Sequence, residues 1–283
     1  MGKKTVVFGS FVVDLMGRTP HLPAAGETVK GTVFKMGPGG KGFNQGVAAH
    51  KAGADVTMVT KLGRDTFADI ALNTMKELGM KQDRILYSDD TETGCALIMV
   101  DENTSQNEIV VILGSCNTIS DAEVDSLEDL LDGCEYMLTQ LETNVSSVER
   151  IVDIACKKGV KVILNTAPVQ PISDELLSKV DLITPNEVEA EILTGVKVDS
   201  EEAADKAAEW FFGKGVKRVL ITLGGRGVYI NTGDKKGIIP AYKVNAIDTT
   251  GAGDAFIGSL LYQLAEDGVT TDSIADLTED KLE

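Results

Sequence analysis

Short β-branched runs alternate with stretches of helical periodicity along nearly the whole chain, and this alternation narrows the possible folds more than any other feature. Strand-like runs lie at residues 5–8, 56–60, 136–140, 161–165, 181–184 and 218–222. Between them, apolar residues recur at helical spacing over 43–52, 66–78, 121–131, 145–158, 187–194 and 201–212. Gly53, Gly79, Gly159 and Gly195 follow helical runs, where a left-handed residue closes a helix. Ser120-Asp-Ala-Glu123 has the spacing of a capping box. Strands separated by helices must be joined by crossovers. The expectation is therefore an α/β domain with a mostly parallel sheet covered on both faces, and ligands beyond the carboxyl ends of its strands.

Two stretches, 11–35 and 91–113, break the rhythm. Both lack a convincing helix and contain extended runs, 28–35 in the first, 95–100 and 108–113 in the second. They predict strands that leave the main sheet and form a small β lid, drawn from about residues 11–37 and 91–115 of a single domain spanning 1–283.

Charge and composition exclude several functions. A formal charge of −17 leaves no basic face for general nucleic-acid binding, so no nucleic-acid partner is expected. An anionic ligand would need a local positive site made from backbone amides, a metal or a few lysines. No apolar run reaches the length of a membrane span, and MGKKTVVFGS lacks the apolar stretch of a signal peptide. No membrane partner and a cytoplasmic location are expected. Cys95, Cys116, Cys134 and Cys156 include no Cys-x-x-Cys pair, and only His21 and His50 accompany them, so they read as buried free thiols rather than zinc ligands.

Two glycine-rich segments carry the chemistry. Asp248-Thr-Thr-Gly-Ala-Gly-Asp254 leads into the helical run 255–265. A glycine turn entering a helix presents unpaired N–H groups, and the helix dipole adds partial positive charge, which together favour phosphate. Asp254, in the first turn, would stand beside that phosphate and accept a proton from an attacking hydroxyl. The plain alternative is an ordinary helix entry with an acidic first turn. Gly37-Pro38-Gly39-Gly40-Lys41-Gly42-Phe43-Asn44-Gln45 also opens a helix; its glycines let backbone approach a ligand, Lys41 supplies charge, and Asn44 donates and accepts. A lid hinge needing positive φ is the alternative there. No Gly-x-x-x-x-Gly-Lys-Ser/Thr run occurs and no GxGxxG follows the first strand, so P-loop and Rossmann readings lack their fingerprints.

These segments resemble the two signature motifs of the ribokinase-like (PfkB) carbohydrate kinase family, in the same order and separation. Asn186-Glu-Val-Glu189 is similar to the family's N-x-x-E element, and Ile221-Thr-Leu-Gly-Gly-Arg-Gly227 to its nucleotide-binding strand and turn. Gly9-Ser10 with Asp14, then Gly26-Glu27-Thr28, resemble its sugar and lid segments. The resemblance implies a three-layer αβα sandwich with a β-sheet lid, and transfer of the ATP γ-phosphoryl group to a primary hydroxyl of a small sugar. Ribose is the first choice, with another neutral sugar or a nucleoside as alternatives. It implies Asp254 as general base, and Gly251, Ala252 and Gly253 as the anion hole. Asp14, Gly40, Lys41, Asn44 and Glu142 would hold the sugar. Asn186, Thr222, Leu223, Gly224, Gly225, Arg226 and Gly227 would border the nucleotide. Asn186 and Glu189 would organise Mg²⁺ through water, and Asp248 and Thr250 would supply part of a K⁺ site. Pairing through the exposed lid would give a homodimer.

The chain departs from the family pattern at Phe43, Ile257 and Cys116, where alanine, asparagine and asparagine are usual. The family's further C-terminal segment, which completes the adenine and monovalent-cation sites, is expected to be missing. That leaves a rival from another class, a non-catalytic sugar or nucleotide binder. A Rossmann-type oxidoreductase is a further rival without its motif.

Overall fold

A computed structural model of the chain describes residues 3–104, 106–244 and 249–266. The alternation of strand and helix resolves into an eight-stranded sheet. Its spatial order is Lys236–Ile239, Val228–Asn231, Val219–Thr222, Leu182–Ile183, Lys161–Leu164, Cys134–Thr139, Lys4–Phe8 and Asp55–Val59. All neighbours run parallel except Val228–Asn231, which is antiparallel to both of its partners. The chain begins near one edge, visits Asp55–Val59, then returns past Lys4–Phe8 to build the rest. The sheet therefore reverses its winding beside the first strand, the kind of place where a crevice opens.

Successive strand residues point to opposite faces, and each face has its own core. Val6, Met137, Val162 and Val219 pack with Val152 and Phe211 from helices Val145–Lys157 and Glu201–Gly213. Their neighbours Val7, Leu138, Ile163 and Leu220 pack on the other face with Phe43, Met75 and Leu261 from helices Lys41–Ala52, Thr66–Leu78 and Ala252–Ala265. The result is the three-layer αβα sandwich. Helix ends follow the sequence signals: Gly53, Gly79 and Gly195 are left-handed C-caps, Gly159 has positive φ, and the capping box of Ser120 with Glu123 is formed.

The two rhythm-breaking stretches form a separate four-stranded sheet in the order Val33–Gly39, Val12–Thr19, Thr93–Asp101 and Asn107–Gly114. Much of it is exposed and apolar, including Phe34, Leu97, Ile109, Val110 and Ile112. The extended run expected from residue 28 begins only at Val33. Thr32, just before that strand, donates its N–H to Arg18 O at 2.9 Å and its hydroxyl to the Glu102 carboxylate. The helix expected over 121–131 stops at Asp125 and resumes as the 3₁₀ turn Glu128–Leu131. Ser126 Oγ donates to Glu123 O at 2.7 Å, a local bond that competes with the helical ladder. No helix among the described residues is long and apolar enough to cross a membrane.

Candidate active site

Polar residues at the carboxyl ends of Lys161–Leu164, Leu182–Ile183 and Val219–Thr222 meet the first turns of three helices, Lys41–Ala52, Glu187–Thr194 and Ala252–Ala265. They enclose a cleft of about 140 Å³ lined by Lys41, Asn165, Asn186, Glu189, Thr222 and Asp254, with Gly251 and Gly253 in its wall. Residues distant in sequence thus converge where an α/β sheet binds ligands.

Gly251 caps the last of these helices at φ 74°, a conformation that favours glycine. The first i→i−4 bond runs from Ala255 N–H to Gly251 O at 2.8 Å. Ala252 N–H turns back to Thr249 O at 3.1 Å, so of the expected anion-hole residues Gly253 offers the amide that precedes the ladder, followed by Asp254 itself. The Asp254 carboxylate accepts from Asn44 Nδ2 at 3.2 Å and from Gln45 Nε2 at 2.9 Å. Two lone-pair directions remain for a hydroxyl proton. This meeting depends on Gly258: a Cβ there would collide with Gln45 O and lie 2.6 Å from Ala48 Cβ, so glycine lets the two helices cross closely.

Asp14 stands on the second sheet with its carboxylate where a Gly39 side chain would begin. Burial, and then the negative charges of Glu142 and Asp254, push its carboxyl up to about 6. Glu142 is buried; its Oε2 accepts from Ser10 Oγ at 2.5 Å and from Lys41 N–H at 2.8 Å. Gly40 adopts φ 92° immediately before the helix that carries Lys41 and Asn44. Three carboxylates therefore surround this end of the site. They suit a neutral polyol, whose hydroxyls donate, and oppose an anionic one.

At the other end Asn186 caps Glu187–Thr194 in a reciprocal box with Glu189. Glu189 Oε2 accepts from Asn186 N–H at 3.0 Å and Thr166 Oγ1 at 2.9 Å, while Oε1 accepts from Asn186 Nδ2 at 2.8 Å. Glu189 is buried against the cleft. Thr222 lines the cleft; Leu223, Gly224, Gly225, Arg226 and Gly227 form the turn that follows it. Arg226 is tied to Glu187 and donates to Val198 O at 2.8 Å and Asp199 O at 3.0 Å, which anchors the turn to the helix Glu187–Thr194 and the loop that follows it. Asp248, expected at a cation site with Thr250, lies outside the described residues.

Among the described residues no cluster of three His, Cys, Asp or Glu side chains is spaced to hold a metal directly. The donor set at Asn186 and Glu189 nevertheless fits hydrated Mg²⁺. Mg²⁺ keeps most of its waters and needs only one or two carboxylates besides phosphate oxygens, and both Glu189 oxygens already accept bonds, which favours contact through water.

Phe43 is core, packed edge-to-face on Phe11 at 5.0 Å, and Ile257 is buried beneath the cleft. Cys116 is fully buried, accepts from Phe11 N–H at 3.4 Å, and has its thiol pushed upward by that burial. Sequence reasoning missed Gln45, Asn165, Thr166 and Thr184 as site residues. Their signal was position: each polar side chain follows a strand's carboxyl end or stands next to Asn44 in the first motif.

A family model described as pfkB family carbohydrate kinase matches residues 3–276. Ribokinase of Haemophilus influenzae is 42% identical over 267 residues, which are 94% of this chain and 87% of that protein. Deoxyribokinase of Salmonella typhi is 37% identical over 263 residues, 93% and 86% of the two chains. The structure of Arabidopsis thaliana ribokinase complexed with ribose and ATP superposes with a TM-score of 0.86 at 27% identity, covering 100% of this chain and 89% of that one.

Proposed function

The chain belongs to the pfkB family of carbohydrate kinases and is an ATP-dependent sugar kinase, and on that premise we propose that it transfers the ATP γ-phosphoryl group to a primary hydroxyl of ribose. One observation carries this reading: Asp254, held by Asn44 and Gln45, stands at a helix N-terminus in the same cleft as Asn186 and Glu189. The carboxylates Asp14 and Glu142 accept sugar hydroxyls, with Gly40, Lys41 and Asn44 completing the sugar side. Asp254 takes the proton of the attacking hydroxyl as its oxygen approaches phosphorus in line. Charge gathering on the phosphoryl oxygens is met at the Gly251–Ala252–Gly253 turn by the Gly253 amide and by the positive end of the helix. Thr222 and the turn through Gly227 border the nucleotide. Asn186 and Glu189 would hold Mg²⁺ through water, and the ion, when bound, neutralises the phosphate charges.

The second sheet, with Asp14 on it, acts as a lid that excludes water when sugar is present. Its apolar surface pairs with a second copy, and Asp248 with Thr250 contributes to a K⁺ site. The enzyme works in the cytoplasm. Sedimentation at the monomer mass would remove the dimer, and equal rates in K⁺ and Na⁺ would remove the cation site.

The sugar assignment is tested by coupled ADP release over ribose, deoxyribose, fructose and nucleosides. Ribose gives the highest kcat/KM, and Asp254→Asn lowers kcat by about 10²–10⁴-fold, the range for removing a general base. A preference for another sugar overturns ribose; an unaffected Asp254→Asn variant overturns the base.

A further inference from the structure

Gln45 is fully buried and touches the proposed base directly, yet the reading above gives it no task. Its orientation can be worked out from a group that cannot reorient. Thr184 O is a main-chain carbonyl and only accepts, so Asn165 must present Nδ2 to it, at 2.7 Å. Asn165 Oδ1 then faces Gln45 as an acceptor, and Gln45 must answer with Nε2, at 3.1 Å. The second hydrogen of that Nε2 is donated to Asp254 Oδ1 at 2.9 Å. Gln45 Oε1, on the far side of the amide, accepts from Gln140 Nε2 at 2.7 Å. Every amide in this chain, from Thr184 to Gln140, has one consistent direction. The donor that meets Asp254 is therefore set from behind, by the sheet, and not by Asp254 itself.

We propose that Gln45 is the positioning residue of the base: oriented from Thr184 through Asn165, it holds one Asp254 oxygen by a donated bond and fixes the direction in which the carboxylate meets the sugar hydroxyl. The proposal rests on Asp254 being the base. Asn44 Nδ2 reaches the other oxygen from one turn face of the same helix, at 3.2 Å, but Asn44 is part-exposed and shared with the sugar side. Gln45 is the contact shielded from solvent and from the sugar side. An amide is suited to this work because it stays neutral at every pH at which the enzyme runs, so the bond's direction never reverses. A small displacement of the carboxylate costs rate steeply, since proton transfer and in-line attack both depend on its placement.

The test compares Gln45→Met, Gln45→Glu and Asp254→Asn in full-length protein, measuring kcat and sugar KM from about pH 6 to about pH 8, with thermal melting to verify folding. Gln45→Met removes the bond at similar volume; kcat falls about tenfold to a hundredfold, with sugar KM within about twofold of wild type. Gln45→Glu keeps the shape and still accepts from Gln140, but donates to Asp254 only while protonated. Its kcat relative to wild type therefore declines as pH rises, a slope that a packing role does not produce. Wild-type kcat in Gln45→Met, or a flat ratio in Gln45→Glu, overturns the proposal. If Gln45→Glu does not fold, Gln45→Met decides alone. Loss of rate in Asp254→Asn with full rate in Gln45→Met removes the positioning role and leaves the base in place; full rate in Asp254→Asn removes both.

Discussion

With Asp14 on the proposed sugar side, sugar binding should be sensitive to pH in a range where most carboxylates are insensitive. Its carboxyl is pushed up to about 6, first by burial and then by the charges of Glu142 and Asp254. Only the ionised form offers acceptors alone to two neighbouring sugar hydroxyls; the protonated form turns one oxygen into a donor. With that midpoint, about nine-tenths of Asp14 is ionised near pH 7 and about one-tenth near pH 5. Ribose affinity should therefore weaken about tenfold between those two pH values, or about 1.4 kcal/mol. The stability of the unliganded protein moves the opposite way. The folded state holds this proton more tightly than the unfolded chain, so stability falls as pH rises from about 4 to about 6, and acidification restores it. Titration calorimetry of ribose without ATP measures the binding effect directly. Asp14→Asn should bind more weakly at neutral pH, by about 1.5–3 kcal/mol for a lost charged hydrogen bond, and with little pH dependence. Affinity that is flat from about pH 5 to about pH 7 in wild type, or the same slope persisting in Asp14→Asn, would refute the argument.

Two further substitutions probe the supports of the site. Gly258→Ala places a methyl group against Gln45 O and Ala48, so the helices must separate; a loss of about 1–3 kcal/mol in thermal or urea unfolding is expected, together with lowered kcat. Unchanged stability would mean that the close crossing is unnecessary. Asn186→Ala removes a cap that donates to and accepts from Glu189; it should cost about 1 kcal/mol of stability and raise the ATP KM more than the sugar KM, read from steady-state kinetics with each substrate varied.

Much of the architecture was legible because its signals are local. Periodicity located the six strands within a few residues, and likewise every helix sought from it except the one over 121–131, and Gly53, Gly79 and Gly195 stopped helices where a left-handed residue was needed. Local signals also misled. The apolar spacing of Val124, Leu127 and Leu131 suits a continuous helix, and all three are buried, yet the Ser126 hydroxyl diverts the chain at Glu123 O. The hairpin Val228–Asn231 with Lys236–Ile239 passed unnoticed because four residues are too few for alternation to show.

By itself the sequence determined the chemical types at the site: a glycine turn ahead of Asp254, a glycine-rich entry to the helix of Lys41 and Asn44, and the spacing of Asn186 to Glu189 that makes a capping box. Each depends on neighbours a few residues away, so it can be read along one dimension. Only the tertiary structure decided that Gln45, Asn165 and Thr184 form one directed line of hydrogen bonds to Asp254, and that Asp14 shares its surroundings with Glu142 and Asp254. Those effects arise from burial and from contacts between residues up to 240 positions apart, brought together by the order of strands in the sheet. An isolated glutamine or aspartate carries no mark of them, because a hydrogen bond's direction and a carboxyl's proton affinity belong to the surroundings rather than to the residue.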